Sequence, residues 1–289
     1  MNDDQLEALV AIADHGTFDA AARALSVTPS AVSQRIRALE STTGQVLIVR
    51  STPCRTTDAG TVILRMARQR RLLTSEALTE LSSGEHALTE LPIAVNADSL
   101  ATWFRPVIDE CARWGEVQLR LHVEDQDHSA ALLRSGAALG AVTSDPVAVQ
   151  GCSVERLGSI RYLPVATPAL VQRWSSRRGI DWAGIPVVRF NAKDDLQQRV
   201  LDTHCVAQAP PTHRVPSSEA FIYAVRAGLG WGAVPEDQLG DDLTTGTLVR
   251  LSSRDRVDVP LYWQCWRLRS PRVERITAIV RAAAAPLRR

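Results

Sequence analysis

Residues 17–41 read TFDAAARALSVTPSAVSQRIRALES, and this stretch constrains the fold of the chain more than any other. Apolar residues recur at helical spacing within 18–25, which predicts a short helix with one apolar face. Thr17 precedes that helix at an N-cap position, while Thr28 and Pro29 supply a cap and a first position for a second helix. The stretch therefore predicts two short helices joined by a tight turn.

The second helix, from Pro29 onward, has two faces of different chemistry. Its inward face is apolar and consists of Val32, Ile36 and Leu39. Its outward face is polar, slender and basic, and consists of Ser30, Ser33, Gln34 and Arg37. This combination is typical of a recognition helix, which must approach base edges closely and donate hydrogen bonds to them. An ordinary amphipathic helix pair in a bundle is the alternative.

Residues 20–71 carry a local excess of positive charge, although the formal net charge of the whole chain is only +1. The acids in this window are Glu40 and Asp58, and the arginines are Arg23, Arg35, Arg37, Arg50, Arg55, Arg65, Arg68, Arg70 and Arg71. Such an excess is typical of phosphate binding, with a solvated basic face as the alternative. Within it, Gln45–Arg50 predicts a strand and Pro53 a turn, so we expect a wing that lies against DNA.

We expect the helix pair and the wing to contact double-stranded DNA in two ways. The predicted DNA-binding set is Thr28, Ser30, Ser33, Gln34, Arg35, Arg37, Arg50 and Arg55. Of these, Ser33, Gln34 and Arg37 are predicted to face base edges, and the three other arginines to face phosphates.

The order of motifs in this region is similar to that of one family. The pattern A-A-x-x-L-x-V-T-P-S-A-V-S-Q-R-I-R-x-L-E, followed by G-x-x-L-x-x-R and by T-x-A-G at 57–60, resembles the N-terminus of LysR-type transcriptional regulators. The length of 289 residues is usual for that family, so the resemblance covers the whole chain. Residues 96–104, 228–232 and 262–264 resemble the ArgP/LysG branch, whose members respond to basic amino acids and activate exporter genes. The resemblance implies a homodimer or homotetramer and leaves contact with RNA polymerase open.

Composition and motifs argue against several other classes of protein. The N-terminus opens with acids, and no apolar stretch approaches about 18 residues, so we expect neither a signal peptide nor a membrane span. The cysteines are scattered and read as reduced thiols of a cytoplasmic protein: Cys54, Cys111, Cys152, Cys205 and Cys265. The chain has none of the hydrolase, P-loop or zinc-protease motifs, and its Gly228–Gly232 run lacks dinucleotide spacing. We therefore expect no catalytic residues, no metal and no cofactor.

A long helical pattern follows the wing over residues 58–82. Its apolar stripe recurs at spacings of three, four and seven and consists of Val62, Met66, Leu73, Ala77 and Leu81. A helix of this length with one apolar stripe needs a partner to cover it. The segment resembles the linker helix that pairs two subunits in the family, and packing on its own effector domain is the alternative.

From residue 91 the pattern alternates between strands and helices, which predicts an α/β domain with parallel strands. Strands are predicted at 91–95, 117–123 and 139–143 and a helix at 99–114. The chain is expected to leave this first unit near 163–167 and to return to it with a strand at 259–266. The predicted architecture is a winged helix-turn-helix over 1–58, a linker helix over 59–86 and an effector-binding domain over 87–289. That domain resembles a two-lobed periplasmic-binding-protein fold, with lobe I at 87–162 and 263–289 and lobe II at 163–262.

Such lobes bind a small ligand in the crevice at the carboxyl ends of their strands. Acids there suit an ammonium or guanidinium group, and helix N-termini suit a carboxylate, which together describe a basic amino acid such as lysine or arginine. The candidate residues are Asp98, Ser99, Trp103, Glu124, Asp125, His128, Thr143, Phe190, Asp194 and Glu219. The alternatives are that Asp98 and Ser99 only cap helices, that Trp103 is a core aromatic, and that the acids and His128 are solvated.

The sequence features are consistent with three functions. The expected one is a DNA-binding regulator that senses a basic amino acid and controls an export gene. A LysR-type regulator for another effector is the second, and an α/β enzyme built on the two lobes is the third. An architectural DNA protein without a ligand is disfavoured, because two large lobes follow the winged helix.

Overall fold

The computed structural model describes residues 1–81, 88–123, 126–177 and 179–288. The N-terminal part contains α1 (Asp3–His15), α2 (Phe18–Ala24), α3 (Pro29–Thr43), β1 (Ile48–Val49), β2 (Arg55–Thr56) and the long α4 (Asp58–Leu81). The predicted caps are confirmed, since Thr17 Oγ1 accepts the Ala20 N–H at 3.1 Å and Thr28 Oγ1 accepts the Ala31 N–H at 3.2 Å.

The wing strand is shorter than the predicted 45–50. The carboxylate of Glu40 accepts the backbone N–H of Leu47 at 2.9 Å and that of Ile48 at 3.4 Å. These two N–H groups are thus bonded to a side chain, and strand pairing is confined to β1 with β2. The core beneath is the one predicted: the inward residues Val32, Ile36 and Leu39 of α3 are fully buried.

Helix α4 presents different faces to different surroundings. One face packs on the chain's own α/β domain, where Arg65 donates to the Gln150 carbonyl at 2.8 Å. Met66 packs against the N-terminal core. Four residues of the predicted apolar stripe stay uncovered in the single chain: Val62 is 55% exposed, Leu73 39% and Leu81 82%, and Ala77 is exposed as well. The helix therefore packs on the α/β domain of its own chain and still leaves apolar side chains for a partner.

The α/β domain is built on a mixed sheet of seven strands. Its elements are β3 (Thr89–Val95), α5 (Ala97–Ala101), α6 (Arg105–Trp114), β4 (Val117–Val123), α7 (Gln126–Ser135), β5 (Gly140–Thr143), β6 (Cys152–Ala166), α8 (Pro168–Arg173), β7 (Ser175–Ser176), β8 (Gly179–Ile180), β9 (Val187–Arg189), α9 (Leu196–Thr203), β10 (Thr212–Arg214), α10 (Ser218–Arg226), β11 (Gly232–Pro235), a 3₁₀ helix η1 (Glu236–Gln238), α11 (Asp242–Thr245), β12 (Val249–Arg250), β13 (Val257–Trp266) and α12 (Pro271–Ala283). The order is β11-β6-β13-β5-β3-β4, with β12 also on β6.

The predicted parallel pairing is found for β3 with β4 and β5, while β13, β6 and β11 pair antiparallel. The helix predicted at 99–114 is two helices, because the chain bends at Thr102–Phe104. Strand β6 begins at Cys152 and pairs with β13 from Cys152 to Tyr162, before residues 163–167, where the sequence predicts that the chain leaves the first unit.

Two groups of apolar cores lie along β6. The larger core includes Ile93, Tyr162 and Trp263, and the elements around it are called the first subdomain. Leu163, which follows Tyr162 directly, belongs to a different core, and the elements around that core and its neighbour are called the second subdomain. Within the described ranges no helix is both long and apolar enough to cross a membrane.

Candidate effector cavity and DNA-binding face

A cavity of about 610 Å³ is lined by residues of both subdomains. Asp98 and Tyr162 line it from the first subdomain. Phe190, Asp194 and Gln238 line it from the second. Its remaining charged lining residues are Lys193, Asp195 and Arg199, of which the last two pair with each other at 2.9 Å. The cavity thus offers both signs of charge in a space suited to a small polar ligand.

Asp98 is the centre of a polar network in this cavity. It stands in α5, which begins directly after β3 because Asn96 caps it through the Ser99 N–H at 2.7 Å. Its Oδ2 accepts the Tyr162 hydroxyl at 2.8 Å and its Oδ1 accepts the Ser218 hydroxyl at 2.8 Å. Burial raises the pKa of the Asp98 carboxyl, the hydrogen bonds from Tyr162 and Ser218 lower it, and the charge of Asp194 raises it.

Tyr162 and Ser218 were not among the predicted site residues. Burial raises the pKa of the Tyr162 hydroxyl well above its ordinary value, and the charge of Asp98 raises it further, so this hydroxyl stays protonated and donates. Ser217 caps α10 through the Ala220 N–H, which leaves the Ser218 side chain to turn toward Asp98. A serine pair before a helix signals a cap, but it does not reveal which serine faces inward.

Asp194 holds the loop that carries Phe190. Its Oδ2 accepts the Phe190 N–H at 2.8 Å and its Oδ1 accepts the Leu196 N–H at 3.1 Å. Asp194 therefore has a structural role in addition to its place in the lining, because two of its acceptor sites are taken by backbone groups.

Of the candidate effector-binding residues, Asp98, Phe190 and Asp194 line the cavity, and the other described candidates do not. Ser99 is 0% exposed and Trp103 is 6% exposed, so both belong to the interior. Trp103 packs edge-on against Phe104, with ring centroids 5.6 Å apart. Asp98 faces the cavity and its neighbour Ser99 faces the interior, because consecutive residues of helix α5 point in different directions.

The remaining candidates also lie away from the lining. Thr143 is buried at the end of β5, where its hydroxyl accepts the Asp145 N–H at 3.1 Å. His128 and Glu219 are exposed on α7 and α10 and are not part of the cavity wall. Glu124 and Asp125 lie outside the described residues.

Helix α3 presents the predicted polar face. Gln34 and Arg37 are exposed, Ser33 is half-buried, and Ser30 at the helix start bonds to the Thr28 hydroxyl at 2.9 Å. The apolar side of the helix packs in the N-terminal core, so the polar face is free to contact a partner along its length.

The predicted phosphate-facing arginines have different surroundings. Arg35 is half-buried and pairs with Asp4 of α1 at 3.3 Å. Arg50 is exposed and stacks over the Phe18 ring, 5.0 Å from its centroid, and Arg55 is exposed on β2. Arg50 and Arg55 are therefore better placed than Arg35 for a phosphate.

The positive excess of residues 20–71 is partly neutralised in the fold. Acids of α1, which lie before that window, pair with arginines of α4: Asp3 with Arg70, Glu7 with Arg71 and Asp14 with Arg68. These arginines join α1 to α4 and do not form part of a free basic face. The exposed arginines outside these pairs are Arg23 of α2, Arg37 of α3, and Arg50 and Arg55 of the wing.

A helix-turn-helix whose second helix has an exposed polar face, joined to an α/β domain that contains a cavity, is the architecture of a DNA-binding regulator with a small-molecule site. The family profile "Bacterial regulatory helix-turn-helix protein, lysR family" matches residues 4–61, and the profile "LysR substrate binding domain" matches residues 85–285. The chain belongs to the LysR family of transcriptional regulators, as predicted.

Several of its relatives are named LysG or ArgP. The HTH-type transcriptional regulator LysG of Mycobacterium tuberculosis is 51% identical over 290 residues, covering 99% of this chain and 94% of the relative. The lysine export transcriptional regulatory protein LysG of Corynebacterium glutamicum is 46% identical over 293 residues, covering both chains fully. The crystal structure of ArgP from Mycobacterium tuberculosis is similar with a TM-score of 0.90 at 50% identity, covering 100% of this chain and 99% of that one.

A further solved structure contains a bound effector. Full-length LysG from Corynebacterium glutamicum with bound effector Arg is similar with a TM-score of 0.86 at 44% identity, and both chains are covered fully. A second structure of full-length LysG from Corynebacterium glutamicum is similar with a TM-score of 0.67 at 44% identity.

Proposed function

We propose that this chain is a regulator that binds double-stranded DNA through α3 and its wing and responds to a basic amino acid, lysine or arginine, to control an amino acid export gene. The proposed units are a winged helix over 1–58, a linker helix over 59–86 and a two-lobed effector domain over 87–289, arranged as in periplasmic binding proteins. The LysG relative from Corynebacterium glutamicum is a lysine export regulatory protein, and a solved structure of it contains bound arginine, which supports the ligand class.

The observation that carries the proposal is the Asp98 carboxylate in the wall of the cavity. Taking a carboxylate out of water is unfavourable unless a cation or hydrogen-bond donors offset the loss. Tyr162 and Ser218 supply two donors, and a carboxylate has about four acceptor sites, so a cationic group can take the rest. A ligand ammonium or guanidinium placed there stabilises the charge of Asp98, whereas a neutral side chain cannot.

The test is calorimetry on the full chain with lysine, arginine, leucine and methionine. Lysine or arginine is expected to bind more tightly than the two neutral amino acids, because those leave the carboxylate without its cation. Leucine or methionine binding as tightly as lysine would refute the ligand class, and turnover of an added amino acid would favour the enzyme alternative.

The proposed mechanism is a population shift. Ligand favours one arrangement of the two subdomains, and this arrangement is passed to the DNA-binding part through α4. Helix α4 is attached to the α/β domain at Glu76, whose buried carboxylate accepts the Ser270 hydroxyl at 2.5 Å at the start of α12. The exposed apolar residues Val62, Leu73 and Leu81 support pairing of α4 with a second subunit, so that two half-sites are read together.

A further inference from the structure

One hydrogen bond joins the two subdomains at the carboxylate proposed to bind the ligand. Ser218 is the first residue of α10 in the second subdomain, and its hydroxyl lies 2.8 Å from Oδ1 of Asp98 in the first subdomain. The two residues are 120 positions apart in the chain. Ser218 is buried, so this contact forms only where the second subdomain lies against the first.

The direction of this hydrogen bond is determined by its surroundings. An ionised carboxylate only accepts hydrogen bonds, so the single proton of the Ser218 hydroxyl must point to Asp98. The lone pairs of that hydroxyl then face Gln238, whose side-chain amide donates to it at 2.9 Å. Gln238 thus keeps the Ser218 proton on the side of Asp98, and the order of donation is amide, hydroxyl, carboxylate.

We infer that Ser218, oriented by Gln238, is a latch that closes the second subdomain on the first when Asp98 is paired with a cationic ligand. A hydrogen bond to an ionised carboxylate is roughly twice as strong as one between neutral groups. Closure removes the ionised Asp98 carboxylate from water, and a bound ammonium or guanidinium offsets that cost, so the ligand stabilises the arrangement in which Ser218 donates to Asp98. Ligand charge and subdomain closure are coupled at one carboxylate, which makes Ser218 a positioning residue for the response.

The latch also explains how a basic ligand differs in effect from a neutral one of the same size. Both can fill the cavity, and only the basic one stabilises the charged form of Asp98 against the neighbouring Asp194 carboxylate. A neutral ligand supplies no cation to Asp98 and therefore does not stabilise the arrangement in which Ser218 donates to it. The inference rests on the proposed function and adds the residue that converts ligand charge into closure.

The experiment measures hydrogen exchange of the α10 amides in the full chain, without ligand and with saturating lysine, beside calorimetric affinity. In the natural chain lysine should slow α10 exchange by about tenfold, and Ser218→Ala should lose this protection even at saturation and bind lysine about tenfold more weakly. Ser218→Thr keeps the hydroxyl and should restore both. Ser153→Ala removes a hydroxyl that bonds the Cys265 carbonyl outside the cavity and should leave both unchanged.

The outcomes distinguish a failure of the latch from a failure of the proposed function. If the natural chain binds lysine and Ser218→Ala shows the same affinity and α10 protection as Ser153→Ala, the latch is refuted and the proposed function stands. If the natural chain binds no basic amino acid, the proposed function and the latch both fail. Gln238→Leu is a second variant in case Ser218→Ala does not fold. In this variant the protection of the α10 amides by lysine should be about threefold smaller than in the natural chain. Unchanged protection would again refute the latch.

Discussion

Replacing Asp98 by Asn tests the charge of the cavity while preserving its shape. The amide oxygen can still accept the Ser218 hydroxyl, and the Tyr162 hydroxyl can turn to accept from the amide nitrogen. The lost quantity is the charge-assisted bond to the ligand cation, which contributes about 1.5–3 kcal/mol. At about 1.4 kcal/mol per factor of ten, lysine affinity should fall roughly 10- to 150-fold, while the affinity for leucine should change little.

The pH dependence follows from the raised pKa of Asp98. In the unfolded chain this carboxyl has its ordinary pKa of 3.8, and in the folded chain burial raises it. The ionised group therefore destabilises the ligand-free fold above the folded pKa, and this destabilisation disappears as pH falls below the unfolded value. Asp98→Asn should accordingly be more stable than the natural chain near neutral pH, and this advantage should vanish in acid.

Two measurements check this prediction. Calorimetry gives the affinities for lysine and leucine, and urea unfolding at several pH values gives the stability. Asp195→Asn is the matched control, because Asp195 lines the same cavity and is already paired with Arg199. Equal loss of lysine affinity in the two variants, or an unchanged affinity in Asp98→Asn, would refute the role given to Asp98.

Three further predictions concern DNA binding, assembly and the fold. Gln34→Ala should lose about 1–3 kcal/mol of preference for the operator over random DNA, whereas Arg50→Ala should weaken both alike and flatten the salt dependence; fluorescence anisotropy measures each. Leu73→Glu with Leu81→Glu on α4 should lower the mass found by light scattering, and a dimer that persists at micromolar concentration would contradict the pairing of α4. Glu76→Ala should lower the free energy of unfolding by about 1.5–3 kcal/mol, because the Ser270 hydroxyl loses a charged acceptor. An unchanged urea midpoint would show that this hydrogen bond does not stabilise the fold.

The helix-turn-helix was predictable from the sequence because its signals are local. Helical spacing within 18–25, the caps at Thr17 and Thr28, and the two faces of α3 all lie within one short stretch, and the structure reproduces them. The family could be recognised for the same reason. The alternation of strands and helices also predicted the parallel pairs β3 with β4 and β5, because crossover connections leave few other arrangements.

Only the tertiary structure decided the charge of the DNA-binding face and the composition of the cavity. The acids of α1 neutralise arginines more than fifty positions away, which a count over one window cannot detect. Asp98 meets Tyr162 and Ser218 across 64 and 120 positions, and the phase of α5 sends Asp98 to the cavity and Ser99 to the core. Residue type and spacing specify which groups can cap, pair or donate. Which of them meet is determined by the packing of elements that are distant in sequence, because that packing sets the burial and the partners of each polar group.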